Sequence, residues 1–126
     1  MKNIIYTLAL ISISLFAFTS AGEESSYEGT TVSYNVAKEM GIVTINLGLK
    51  EPSDFEEILI MRSDNPSANF RSIKELNQEA VDALTKENVL IDKYPLPSSV
   101  VTYYKVQTVD KTGVQRTYPC VKLASK

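Results

Sequence analysis

The side chains that most often carry acid–base and metal chemistry are scarce in this chain of 126 residues. Histidine is absent and cysteine occurs once, as Cys120. Without histidine the chain lacks the commonest general base near neutral pH, the usual zinc ligand and the base that activates a serine or cysteine nucleophile. Lys122 lies two residues beyond Cys120, at the spacing of one strand face, but no cation is plainly placed to activate the thiol. We therefore interpret Cys120 as a thiol packed against or beside an edge strand.

Carboxylates are the remaining candidates for chemistry. Two carboxylates can share acid and base roles, but Glu56 and Glu57 are adjacent and would point to opposite faces of a strand. Asp54, Asp64 and Asn65 could offer oxygen ligands to calcium, yet no ordered ligand loop is discernible around them, and solvated turn residues are the preferred interpretation. The five glycines are scattered and form no phosphate-binding loop. The sequence therefore predicts a protein that is not an enzyme and that has no cofactor or metal.

Seven segments carry the apolar and β-branched patterns of strands, with turn-forming residues between them. We predict strands near residues 32–36, 42–49, 55–62, 70–76, 89–91, 100–109 and 114–123. In the second segment, alternate apolar residues from Val43 to Leu49 share one face, which predicts a half-buried strand. Residues 110–113 predict a tight turn closed by glycine, and Pro119 indicates an edge position or a bulge in the last strand.

Residues 70–87 admit two interpretations. Apolar residues from Ile73 to Leu84 have helical spacing, and Ser72 with Glu75 could form a capping box. The alternative is a strand over 70–76 followed by a helical turn over 78–85, and we prefer it because all-β surroundings override weak helical propensity. The predicted fold is an all-β, seven-stranded antiparallel Greek-key sandwich with one short helix in a connection.

The second half of the chain resembles the fibronectin type III family. Asp92 lies where that family closes a strand with Asp, and Leu96 heads the connection that follows. Residues 104–110, with the sequence Tyr-Lys-Val-Gln-Thr-Val-Asp, resemble the family's Tyr-x-Val-x-Ala-x-Asp strand, and Gly113 closes the hairpin. Upstream, residues 58–62 resemble the third strand, which often ends in Arg. The resemblance covers residues 32–123 and implies an immunoglobulin-like sandwich.

The sequence departs from the family pattern at three places. Thr102 occupies the position of the corner tyrosine, and Tyr103 is one place off. The tryptophan usual at the end of the second strand is absent, because the chain has none. Pro95 and Pro97 flank Leu96, so that the family's Leu-x-Pro connection is not matched.

The N-terminus has the order of a secretory signal peptide. A weakly basic start precedes an uncharged, mostly apolar run from Ile4 to Phe18, and the small residues Thr19-Ser20-Ala21 follow. We predict a signal peptide over 1–21, a flexible lead-in over 22–30 and the sandwich over 31–126. An uncleaved membrane anchor is disfavoured because a run of about 15 apolar residues is shorter than the roughly 20 that span a bilayer. One cysteine allows no internal disulfide, which fits a bacterial protein in the periplasm or the medium.

Charge and strand alternation bear on the partner. The 13 basic and 15 acidic residues form no basic cluster, which argues against nucleic acid. If Tyr104 and Val106 face the core, the next strand residues face outward, joined by two from the last strand if no bulge intervenes. This candidate binding face comprises Tyr103, Lys105, Gln107, Arg116 and Tyr118. The alternative is ordinary cross-strand pairing on a solvated sheet.

We therefore expect an exported, non-catalytic module that binds an unknown protein or glycan. A carbohydrate- or surface-binding accessory domain is one alternative; exposed tyrosine favours it, and the absence of tryptophan counts against it. A structural subunit that self-associates through an edge strand is another. Membrane contact is expected only if the N-terminal segment stays uncleaved. The loop 63–69 and the insertion 78–87 are further candidate binding segments.

Overall fold

The computed structural model describes residues 23–123, and the predicted signal peptide lies outside them. Two antiparallel sheets form an all-β sandwich with one short helix. The elements in chain order are β1 (Glu23–Glu28), β2 (Val32–Glu39), β3 (Ile42–Leu49), a 3-10 turn (Pro52–Asp54), β4 (Phe55–Ser63), β5 (Arg71–Leu76), α1 (Gln78–Asp82), β6 (Glu87–Asp92), β7 (Thr102–Asp110), β8 (Gln115–Thr117) and β9 (Val121–Leu123).

The chain passes from the first sheet to the second in the connection between β3 and β4. The first sheet has the order β1-β2-β3-β6, and the second has the order β5-β4-β7-β8, with β9 also pairing β7. Consecutive strands β3 and β4 thus lie in different sheets, and each lies beside a strand from the second half of the chain. Within the described residues, no helix is long and apolar enough to cross a membrane.

The core lies between the sheets and is built from alternate residues of the long strands. The predicted inward face of β3 is confirmed, since Val43, Ile45, Leu47 and Leu49 are all buried. Burying one such side chain contributes about 1.5–3 kcal/mol before the cost of chain entropy. The other buried apolar residues are Val32, Tyr34, Val36, Phe55, Ile58, Ile60, Leu76, Val81, Tyr104, Val106, Val121 and Leu123.

Residues 23–123 form nine strands where the sequence predicts seven. The first additional strand is β1, which occupies the segment expected to be a flexible lead-in. Its Ser/Glu composition is poor for a strand, but pairing with β2 along its whole length overrides that preference. Tyr27 of β1 also packs on Tyr34, with ring centroids 5.3 Å apart.

The second additional strand arises because the last predicted strand is divided at Pro119. The amide of Tyr118 donates to the carbonyl of Val106, whereas Val121 pairs with Tyr104. Three residues on one strand therefore span two on its neighbour, which is a bulge. Pro119 lies inside it, where its missing N–H costs no ladder hydrogen bond, as the sequence predicts.

The preferred interpretation of residues 70–87 is confirmed. The segment forms β5 and then α1, whose N-cap is Asn77; the Asn77 side chain accepts a hydrogen bond from the amide of Ala80 at 2.9 Å. Ser72 and Glu75 lie in β5, so they form no capping box. Val81 of α1 is buried and closes one end of the core.

Candidate functional site

The described residues assemble no metal cluster, since no three carboxylate or cysteine side chains between 23 and 123 could hold an ion together. Asp54, Asp64 and Asn65 are exposed, and the Asn65 side chain accepts from the amide of Ser67 at 2.8 Å. Cys120 is half-buried, with its sulfur 3.8 Å from the carbonyl oxygen of Pro66.

Three of the five residues of the predicted binding face lie together. Tyr103, Lys105 and Gln107 alternate with buried residues of β7 and occupy the outer side of the five-stranded sheet. Lys105 places its ammonium 4.1 Å from the ring centroid of Phe70, a cation–π contact. The neighbouring strand β4 adds Leu59 and Met61, both half-buried. We call this surface the outer face; its residues are Leu59, Met61, Phe70, Tyr103, Lys105 and Gln107.

Arg116 and Tyr118 do not join the outer face, which corrects the prediction. The register places Arg116 opposite the buried Thr108, and Tyr118, two residues on, shares its side of the strand. The turn is one residue longer than 110–113, because the amide of Asp110 donates to the carbonyl of Val114 at 3.0 Å. A one-residue shift in register moves every side chain of a strand to its opposite face.

Arg116 and Tyr118 instead line a cleft of about 460 Å³, which we call the end cleft. The rings of Tyr27 and Tyr118 are 6.0 Å apart. Asp54 and Asp110 contribute carboxylates to the same cleft. The end cleft thus combines aromatic rings, the two cations Arg116 and Lys50, and hydrogen-bond acceptors, a set that suits a polar ligand.

A buried polar network connects the two sheets. One Arg62 guanidinium nitrogen, Nη1, donates to both Asp92 carboxylate oxygens, at 2.9 and 2.7 Å, and to the carbonyl of Tyr94 at 2.8 Å. The Tyr104 hydroxyl donates to Asp92 Oδ2 at 2.7 Å, and the amide of Tyr94 donates to Oδ1 at 3.2 Å. The Asp92 side chain is 3 % exposed, so four hydrogen bonds from three residues replace its hydration.

Burial raises the pKa of Tyr104, and its hydrogen bond to Asp92 raises the pKa further, because a tyrosinate would face a carboxylate. Burial likewise raises the pKa of Tyr34, whose hydroxyl donates to the carbonyl of Pro119. Both phenols stay protonated at physiological pH and act as hydrogen-bond donors. The network is therefore a structural tie between β4, β6 and β7.

The edges of the two sheets differ in how well they are protected against pairing with another chain. Proteins blunt exposed edges with charge, bulges or very short strands. The β5 edge carries exposed Arg71, Lys74 and Glu75 and a register irregularity against β4. β8 and β9 are three residues each and are separated by the bulge, and β1 carries Glu24 and Glu28.

β6 lacks this protection over its central residues. Val89 is 67 % and Ile91 53 % exposed, and both lie on the outer side of the four-stranded sheet. Tyr94, just beyond the strand, is 83 % exposed. Beside them a cleft of about 310 Å³, which we call the side cleft, opens between β5 and β6 with Ile73 and Ile91 in its lining. Apolar surface therefore continues from the strand into the gap between the sheets.

The residues of β6 that hydrogen-bond to β3 determine which of its backbone groups are left free. The amide of Leu49 donates to the carbonyl of Lys86, and the register pairs Leu47 with Asn88 and Ile45 with Leu90. Hydrogen-bonded pairs alternate along an antiparallel ladder, so even-numbered residues of β6 point their backbone groups at β3. The N–H and C=O groups of residues 87, 89 and 91 consequently point away from the sheet. Those of residues 89 and 91 are free, whereas the carbonyl of Glu87 accepts a hydrogen bond from the Thr85 hydroxyl at 2.7 Å. We call this free side of Glu87–Asp92 the β6 edge.

Sequence reasoning singled out Arg62, Asp92 and Tyr104 separately, as parts of the family resemblance, but did not place them in one network. It identified residues 89–91 as a strand and did not predict its exposure. The only available signal was the acidic residue at each end of the apolar run, Glu87 and Asp92. That signal marks the strand ends and says nothing of its place in a sheet.

Comparisons of the chain with protein-family models, curated proteins and solved structures found no match.

Proposed function

We propose that this chain is an exported, non-catalytic interaction module that binds an extended polypeptide by strand addition at the β6 edge. The observation that carries the proposal is the combination of free backbone groups at residues 89 and 91 with the exposed side chains of Val89 and Ile91. In strand addition, backbone hydrogen bonds supply affinity and alternate side chains supply specificity. Both are present on this strand, whereas charge, bulges or shortness weaken the other described edges.

Capture of partners from the native envelope and culture medium tests the proposal. Val89→Lys places a charge on the edge, and Val114→Lys is the matched control because Val114 is an exposed valine in the β7–β8 connection. A polypeptide held by the native chain and by the control, but lost from Val89→Lys with its circular dichroism unchanged, supports strand addition. Equal capture by all three would reject the β6 edge.

The outer face is a second proposed contact surface of the same module. Tyr103→Ala removes its aromatic residue on β7 with no change in the buried face of that strand. If capture depends on Tyr103 and not on Val89, the module binds through its sheet surface, as the strand alternation in the sequence predicts. Tyrosine at the centre of an interface commonly contributes at least about 1 kcal/mol, so that a several-fold loss of affinity is the expected effect.

We propose that the sandwich is of the fibronectin type III kind. Two observations support this. Three of the residues through which the sequence resembles that family lie in one network, since Arg62 and Tyr104 both donate hydrogen bonds to Asp92. The pairing of β3 with β6 and of β4 with β7 is the crossover expected of a Greek-key, immunoglobulin-like sandwich. An experimental structure whose strands crossed in another order would contradict it.

Export is proposed from the N-terminal pattern alone. Mass spectrometry of the chain recovered from the periplasm and the medium should find an N-terminus at Gly22. A chain that keeps residues 1–21 and sediments with membranes would replace export with anchoring.

The end cleft favours a second candidate function, the binding of a polysaccharide. Tyr27 and Tyr118 offer ring surface, while Arg116 and Asp54 offer a donor and acceptors for sugar hydroxyls. Affinity electrophoresis in gels that contain defined polysaccharides would show retardation of the native chain. Arg116→Ala should abolish that retardation, and Lys122→Ala, an exposed cation on β9 outside the cleft, should not.

A further inference from the structure

We infer that the strand added at the β6 edge is β6 of a second copy of this chain, paired antiparallel about a twofold axis at Leu90. This inference rests on the proposed strand addition and names its partner. The four-stranded sheets of the two copies would join into one continuous eight-stranded sheet across the dimer.

The hydrogen-bond phase restricts the registers that such a pair can adopt. Only residues 87, 89 and 91 direct their backbone groups to the free side of β6, so a second copy must place odd-numbered residues opposite odd-numbered residues. A twofold axis can then pass through Val89, Leu90 or Ile91 near the middle of the strand. These three registers put different side chains opposite one another.

Charge and apolar matching select the axis at Leu90. There Val89 lies opposite Ile91 of the second copy, and Glu87 lies opposite Lys93 of the second copy, the exposed residue that directly follows β6. Each pair occurs twice by symmetry. An axis at Val89 would oppose Glu87 to Ile91, and an axis at Ile91 would oppose Val89 to Lys93. Only the register at Leu90 joins apolar with apolar and acidic with basic residues.

Leu90 itself supports the same register. It is half-buried and packs against the core from the inner side of β6. At the axis the two Leu90 side chains form a non-hydrogen-bonded cross-strand pair, the kind in which side chains approach most closely. Dimer formation would thus cover the exposed part of Leu90 as well as Val89 and Ile91.

The contact is small, so we expect a weak dimer that requires measurement up to about millimolar chain concentration. Sedimentation equilibrium of the chain purified from the producing cell should show a monomer–dimer equilibrium. Val89→Lys should raise the dissociation constant by at least about tenfold, and Val114→Lys should change it by less than about twofold. Hydrogen exchange at the amides of Val89 and Ile91 should slow as the concentration rises. Exchange at Leu90, whose amide faces β3, should not change.

A charge exchange tests the register directly. Glu87→Lys or Lys93→Glu alone places two like-charged pairs in the dimer and should weaken it by roughly tenfold. The double variant Glu87→Lys/Lys93→Glu restores two opposite-charge pairs and should recover the native dissociation constant to within about threefold. Both residues are exposed and lie outside the core, so folding should be retained.

Three results would overturn the inference. A chain that stays monomeric at millimolar concentration, yet loses a captured polypeptide on Val89→Lys, would leave strand addition standing with a different partner. A dimer unaffected by Val89→Lys, or one that the double charge exchange does not restore, would show self-association through another surface or register. If the Val89→Lys variant still captures the polypeptide and still dimerises, both the proposed function and this inference are rejected.

Discussion

Two buried tyrosines should make the protein lose stability in alkaline solution. Tyr34 and Tyr104 are at most 2 % exposed, and burial raises the pKa of each above its ordinary value of 10.0. Below pH 10 both phenols are protonated in the folded and the unfolded chain, so the full stability is present. Above pH 10 the unfolded chain releases protons that the folded chain retains. The free energy of unfolding must therefore fall until the folded pKa is reached.

The size of the effect follows from linkage. Each such tyrosine reduces the free energy of unfolding by about 1.4 kcal/mol per pH unit above its unfolded pKa. At about pH 11 the two together remove roughly 3 kcal/mol, a large part of the 5–15 kcal/mol typical of a domain. The loss should be visible as a falling urea midpoint by circular dichroism, accompanied by tyrosinate absorbance that appears with unfolding.

Phenylalanine substitutions separate the two contributions. Tyr104→Phe removes a hydrogen bond to Asp92 and should cost about 1–3 kcal/mol at neutral pH. It should also reduce the alkaline slope by about 1.4 kcal/mol per pH unit, as should Tyr34→Phe. Tyr94→Phe is the control, because that side chain is 83 % exposed and folding changes its surroundings little. If the free energy of unfolding of both Tyr34→Phe and Tyr104→Phe falls with pH above pH 10 as steeply as that of the native chain, the reasoning is refuted.

Three further predictions concern the network and the β7–β8 turn. Asp92→Ala leaves the Arg62 guanidinium, 19 % exposed, without its carboxylate, and should lower the free energy of unfolding by about 3–5 kcal/mol in urea titrations; a loss below about 1 kcal/mol would show that water replaces the partner. Gly113→Ala should cost about 1–2 kcal/mol by the same measurement, since φ is +91° although a Cβ would meet no neighbour, and an unchanged midpoint would contradict that cause. The Thr112 hydroxyl, which donates to Asp110 at 2.6 Å, lowers the pKa of that carboxyl below its ordinary 3.8. The contribution of this carboxylate to stability is present above pH 3.8 and is lost as pH falls through its folded pKa. Asp110→Asn should therefore make the free energy of unfolding fall less steeply with decreasing pH in the acid range. An unchanged dependence on pH in that range would contradict this prediction.

The alternation of apolar residues predicted the interior more fully than the surface. From Val43 to Leu49 one face of β3 is apolar, and burial of that face is the largest favourable term available to the strand. The same reasoning did not predict β1, because residues 23–28 have little apolar surface and gain their structure from hydrogen bonds to β2. A strand that depends on its neighbour has no strong signal in its own residues.

The predicted binding face failed at the residues that depended on turn length. A turn confined to residues 110–113 would have paired Gln107 with Arg116 and kept both on the outer face. The turn includes Val114, because Asp110 bonds both its backbone and its side chain to that residue, and Gln107 pairs with Thr117 instead. One residue in a turn thus decides which residues share a surface, whereas burial patterns constrain only the strands themselves.

The position of a strand within its sheet is the property that local sequence carries least. Val89-Leu90-Ile91 is a short apolar run, and in the interior of a sheet its two faces would both be covered. Its neighbours are decided by residues more than forty positions away, since β3 pairs it on one side and the crossover to β4 leaves the other side open. Exposed apolar residues on an open edge are costly for a soluble domain unless something covers them. For that reason the β6 edge, which no local pattern predicts, is where the structure adds most to the functional argument.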